Sequence, residues 1–232
     1  MPLLTPDELE TLALSLKVSG AAIAITTPIA FCLAWLLARV RFPGKMFVDA
    51  LVHLPLVVPP VVTGYLLLLA FGRNGPIGAW LEHWFGITVI FRWTGAAIAA
   101  AVMALPLMVR AMRLSIEAVD PRLEDAARTL GASPLRAFFT ITVPLSFSGI
   151  LAGAVVGFAK SLGEFGATIT FVSNIPGETR TLSIAIYSAL QIPGAEQSVM
   201  RLTLLSIAVS LGALVLSEIL ARRVIGGRTH VL

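Results

Sequence analysis

Residues 17–38 read KVSGAAIAITTPIAFCLAWLLA, and between Lys17 and Arg39 no side chain carries a charge. An α-helix rises 1.5 Å per residue, so roughly 20 apolar residues are needed to cross ~30 Å of hydrocarbon. This run has that length. Reading outward from it, four further stretches have similar length and character: 50–71, 94–113, 144–163 and 199–221. The spacing therefore predicts an all-α membrane protein with about five transmembrane helices, organised as a single domain over 1–232. Residues 164–174 are also apolar but too short to cross alone; they either extend the fourth span or re-enter the membrane.

Composition agrees. Of 232 residues, 57% are hydrophobic and 13% charged, with a mean hydropathy of +0.90; a soluble domain is about one quarter charged. The net charge of +4 raises the question of nucleic acid, but the basic residues sit at the ends of apolar runs. That is the signature of membrane topology, and no nucleic-acid partner is expected. The single cysteine, Cys32, lies inside the first run and allows neither an internal disulfide nor a zinc cluster. Asp7, Glu8 and Glu10 precede the first span without a basic region, which predicts an uncleaved anchor rather than a cleavable signal.

Lysine and arginine placement predicts orientation. With the N-terminus outside, eleven basic residues fall on the inner side: Arg39, Arg41, Lys45, Arg110, Arg113, Arg122, Arg128, Arg136, Arg222, Arg223 and Arg228. Five fall outside or at outer edges (Lys17, Arg73, Arg92, Arg180 and Arg201), and Lys160 lies within a span. The positive-inside bias thus places the N-terminus outside and the C-terminus in the cytoplasm. Trp35, Trp80, Trp84 and Trp93 sit near predicted interfaces, and Ile77–Phe85 reads as a short interfacial helix. Pro55, Pro59 and Pro60 crowd the second span, and each removes a backbone donor that lipid cannot replace. Irregular backbone is expected there.

The predicted cytoplasmic loop, 114–143, contains DPRLEDAARTLG (residues 120–131). Asp120 suits an N-cap and Pro121 the first helical position; Gly131 suits a left-handed stop, and Ser133-Pro134 starts a second helix. Leu123, Ala126, Ala127 and Leu130 fall at i, i+3, i+4 and i+7, a narrow apolar stripe. Such a helix either inserts into a groove on a partner protein or lies on the inner leaflet, held by Arg122 and Arg128.

Asp125, Ala126, Ala127, Gly131, Ile141, Val143 and Pro144 resemble the cytoplasmic Glu-Ala-Ala motif of permeases of ATP-binding-cassette importers, with Asp for Glu and Val for Leu. The likeness extends to molybdate permeases through RFPGK (41–45), HLPLVVPP (53–60), ARTLG (127–131), SLGEFGAT (161–168) and FVSNIPGETRT (171–181). Sulfate and thiosulfate permeases share much of this and are the alternative, with tungstate a further candidate cargo. The resemblance implies an importer-permease fold in the cytoplasmic (inner) membrane. It makes Leu123, Asp125, Ala126, Ala127, Leu130 and Gly131 the coupling helix docked on a cytoplasmic ATPase subunit. It further implies a homodimer, an external molybdate-binding protein and ATP bound by the partner, leaving this chain without cofactor or metal.

Lys160 and Glu164 are opposite charges four residues apart within a span, and Ser161 and Thr168 continue a polar stripe. Intramembrane charge costs on the order of 2.5–3.5 kcal/mol on insertion scales, so it has a partner or a task. The four residues form either a structural ion pair with its neighbours or part of a pathway or gate. No Gly-x-x-x-x-Gly-Lys-[Ser/Thr] occurs, so the chain carries no motor of its own. An intramembrane enzyme is disfavoured by scattered His53, His83 and His230, and a passive channel or assembly scaffold by the docking helix.

Overall fold

The computed structural model describes residues 5–226, and among these there are helices and turns but no strand. Arg228 and His230 lie outside the described residues. The first helix, α1 (Pro6–Arg39), begins in a capping box: Glu8 N–H donates to Thr5 Oγ1 at 3.3 Å, and Thr5 N–H to Glu8 Oε2 at 2.8 Å. At 1.5 Å per residue its 34 residues extend about 51 Å, well beyond the predicted 17–38.

The bundle is built around α5 (Trp93–Glu117). Against it α1 contributes Ala22, Ala30 and Ala34, and α5 answers with Ala96, Ala99, Ala100 and Ala104, all essentially without exposed surface. Small side chains let the two backbones approach closely, which is how helices gain contact where lipid removes the hydrophobic drive. The other flank of α5 receives α9 (Phe147–Leu162) through Gly149, Gly153 and Gly157. A Cβ at Gly157 would lie 2.6 Å from Met108 Sδ, so glycine sets the separation there.

Among the described residues, three helices are individually long and apolar enough to cross a membrane: α1, α5 and the Glu196–Val215 part of α12 (Glu196–Gly226). The count reaches five when two bent helix pairs are each taken as one span. The predicted second span, 50–71, falls on the first pair. It is α2 (Lys45–Val57) and α3 (Pro60–Phe71), turned through 116° at Val58–Pro59, where the prolines leave the helical ladder without donors. The predicted fourth span, 144–163, falls on the second pair. After the loop helices α6 (Pro121–Thr129) and α7 (Pro134–Ala137), a π turn (Phe138–Thr142) and the short α8 (Val143–Leu145) meet α9 at a 61° bend around Ser146.

Beyond α9 the chain breaks at residues 163–165 and resumes as α10 (Gly166–Val172), which packs on α3 and α5. Residues 164–174 therefore do not continue the fourth helix. The expected helix near Ile77–Phe85 is α4 (Pro76–Phe85), with Trp80 and Trp84 exposed. A nine-residue helix, α11 (Leu182–Leu190), is not anticipated by the spacing; it packs between α1 and α12. The first and last long helices are tied by Arg201 Nε to Glu8 Oε1 at 2.9 Å, with the Glu8 side chain 7% exposed.

Candidate functional site

The segment 120–136 folds as its residues dictate. Asp120 accepts a hydrogen bond from Arg122 N–H at 2.9 Å, and Pro121 opens α6. Gly131 has φ +93°, and around it Ala132 N–H reaches Ala127 O and Gly131 N–H reaches Arg128 O, both at 3.0 Å. This is a complete Schellman closure, which only a left-handed residue permits. Ser133 then caps α7 by accepting from Arg136 N–H.

No residue of α6 is buried. Leu123 is 45% and Leu130 89% exposed; Ala126 is exposed with them, and Ala127 is half-covered. Leu130 is the C-cap residue, so it stands just past the helix beside the Gly131 turn. Leu135 and Phe139 are also exposed, widening the apolar surface. Asp125 lies at its edge and is likewise exposed. Apolar side chains presented on a loop with strong caps form a rigid surface suited to a groove on another protein or to the inner leaflet.

On the face turned to the bundle, α6 is held by Glu124, an acidic residue of its first turn. Glu124 accepts a short hydrogen bond from Thr142 Oγ1 and lies 3.8 Å from Arg39 Nη2. That guanidinium also donates to Val119 O at 2.7 Å. One carboxylate thus joins the ends of α1 and α5 to the π turn.

The Lys160–Glu164 pair forms, with Nζ 2.8 Å from Oε2. Glu164 is 2% exposed at its side chain and Lys160 30%, so the carboxylate is the enclosed partner. Its other oxygen accepts from Ala167 N–H at 3.0 Å, in the first turn of α10. The pair therefore bridges the end of α9 and the start of α10. The break at Gly163 puts Ser161 on α9 and Thr168 on α10, so the expected polar stripe is shared by two helices. Both are buried all the same, and Ser161 Oγ and Thr181 Oγ1 are buried without a hydrogen-bond partner. Ser183 Oγ donates to Leu162 O at 3.0 Å, bringing the start of α11 to the end of α9. Sequence spacing missed Thr181 and Ser183 because they lie beyond the α10 turn, although the Ser/Thr content of 179–183 is a local signal.

A family model described as the binding-protein-dependent transport system inner membrane component matches residues 29–226. The chain is 58% identical over 220 residues to the molybdenum transport system permease protein ModB of Escherichia coli K12, covering 95% of this chain and 96% of that one. It is 57% identical over 216 residues to the corresponding protein of Haemophilus influenzae, covering 93% and 94%. A solved bacterial alginate ABC transporter, in complex with an alginate pentasaccharide-bound periplasmic protein, superposes with a TM-score of 0.74 at 19% identity. That match covers 95% of this chain and 80% of the other, a likeness of fold alone.

Proposed function

Because the chain belongs to the family of binding-protein-dependent transport system inner membrane components, we propose that it is the permease subunit through which an ATP-driven importer moves molybdate into the cell. The observation that carries the cargo is the 58% identity maintained over 95% of the chain. The subunit is not an enzyme. ATP binding and hydrolysis fall to a partner ATPase, and an external binding protein delivers the oxyanion.

In this reading residues 1–232 form one permease domain of the inner membrane, and α6 with Leu123, Ala126, Ala127 and Leu130 is the surface the ATPase grips. Asp125 supplies charge at its rim, and Gly131 fixes the angle at which the chain leaves. Two copies of the chain enclose the path. The support for this is that Met200, Leu204, Ile207 and Leu211 on α12 all stand exposed on a single copy. Five spans are also too few to surround a gated route. Along that route a dianion requires weak, sequential binding, and buried hydroxyls suit it better than a cationic trap. Ser161 and Thr168, joined by Thr181, are the groups assigned to it; Lys160 neutralises Glu164, which would otherwise repel the cargo.

The orientation places the N-terminus outside. It is supported by the charge count, eleven basic residues against five. An Ala132→Cys substitution in a Cys32→Ala background is expected to resist an impermeant thiol reagent in intact spheroplasts and to react once the inner face is opened. Labelling before opening refutes the orientation.

Vesicles containing this chain with its ATPase and binding protein are expected to accumulate labelled molybdate only with ATP. Excess sulfate should compete poorly and tungstate well. Uptake without ATP converts the reading to a channel, and strong competition by sulfate reassigns the cargo.

A further inference from the structure

Among the described residues, Glu124 is the only side chain of α6 that makes a polar contact with the rest of the bundle. Its partner Thr142 is fully buried in the π turn. Thr142 O accepts from Ser146 N–H at 2.9 Å and from Ser146 Oγ at 2.6 Å. Ser146 O accepts in turn from Ser115 Oγ on α5 at 3.4 Å. Ser146 is also without exposed surface, and it is the residue at which the chain turns by 61° into α9. A line of hydrogen bonds thus runs from the docking helix to a bend, with Arg39 fastening the same carboxylate to the end of α1.

The elements along this line differ in stiffness. The α6 helix is closed at both ends by caps, so force on its outer face displaces it as a body. The π turn is a local departure from α-helical hydrogen bonding, a feature that recurs at functional sites and can change register by one residue. Pro144 has no N–H to give to the ladder, and Ser146 Oγ competes with its own N–H for Thr142 O, so the turn before α9 is held less firmly. Motion entering at α6 is therefore delivered, through Glu124 and Thr142, to the one segment between α6 and α9 able to change angle.

We infer that Glu124, Thr142 and Arg39 are positioning residues that transmit displacement of α6 to the bend at Ser146, coupling ATP hydrolysis to the tilt of α9. This rests on the permease reading, and it adds residues that face away from the ATPase. Coupling between two sites requires an element that both can bias, and the bend is that element.

The test uses the complete transporter in proteoliposomes, measuring molybdate uptake and ATP hydrolysis together for Thr142→Val, Thr142→Ser and Glu124→Gln. Thr142→Val keeps shape and removes the hydroxyl, so uptake per ATP hydrolysed should fall about tenfold, within the range of ordinary coupling energies. Thr142→Ser restores the donor and should recover most of that ratio. Glu124→Gln keeps an acceptor for Thr142 but loses the charge facing Arg39, so its loss should be intermediate. Wild-type uptake per ATP in both Thr142→Val and Glu124→Gln overturns the inference, even if less transporter is recovered, because a merely structural role changes amount and not ratio. Should Thr142→Val fail to assemble, Glu124→Gln decides alone, since Glu124 is 28% exposed at its side chain and tolerates replacement. Absence of ATP-driven uptake by the unmodified transporter defeats the permease reading itself, a different result from loss of ratio.

Discussion

Replacing Gly64 by valine is expected to remove nearly all folded protein from the membrane. A Cβ at that position would lie 2.5 Å from Ala167 O, 2.9 Å from Ala167 Cα and 2.9 Å from Thr170 Cβ. Two of these atoms are backbone and cannot rotate away. Helix α10 cannot retreat either, because Phe171 and Val172 behind it are fully buried in the cluster that includes Leu67, Ala96 and Met103. Overpacking costs typically ~1–3 kcal/mol where side chains can shift, and backbone contact lies at or above the top of that range. Gly64→Ala should already lower the amount recovered as a monodisperse peak after detergent extraction, and Gly64→Val should abolish it. Gly20→Ala is the control: nothing lies within 4 Å of its added methyl, and alanine favours the helix by about 1 kcal/mol. Equal recovery of Gly64→Val and Gly20→Ala would show that α3 and α10 are not packed in this way.

The second large effect is asymmetric. Lys160→Met leaves the Glu164 carboxylate, 2% exposed, without its cation, whereas Glu164→Gln leaves an ammonium that is 30% exposed and keeps an oxygen for Ala167 N–H. Breaking a buried pair from one side costs ~3–5 kcal/mol, and Lys160→Met should approach that figure. Glu164→Gln should cost less, and the double variant should recover most of the folded amount, since neither charge is then stranded. Uptake per folded transporter separates the two readings of the pair. A double variant that folds but transports poorly places it on the pathway, and one that recovers both makes it a structural clasp between α9 and α10. Equal losses for the two single variants would contradict the enclosure of Glu164.

Much of this arrangement is legible in the residues themselves. The start and stop of α6 follow from Asp120, Pro121 and Gly131 because caps are local, satisfied within four or five residues. The Lys160–Glu164 contact is equally local, and the break beneath it is signalled only faintly by Gly163. What spacing cannot supply is direction. Pro55, Pro59 and Pro60 announce irregular backbone, yet they do not give the 116° angle or show that α3 packs on α10, about 100 positions away. The second role of Glu124 is hidden for the same reason: Arg39 lies 85 positions before it in the chain, and its first-turn location offers a sufficient local explanation. Helix α11 escapes because nine residues fall far short of a span, and its burial comes from neighbours rather than from its own length.

The tie between Glu8 and Arg201 has a bearing on the order of assembly. Synthesis delivers the two residues 193 positions apart, so the N-terminal end of α1 is made long before its counter-charge exists. The same holds for Ser15, whose hydroxyl accepts from Leu182 N–H at 2.7 Å across 167 positions. Until α11 and α12 arrive, the first helix has an acidic end with no cation beside it and a hydroxyl with no distant donor. Its early companions are α5 and then α9, joined through small residues that need no such partner. Of the described helices, α12 is therefore the one that brings α1 its counter-charge, and a chain released before residue 201 carries a first span that is inserted but not yet locked.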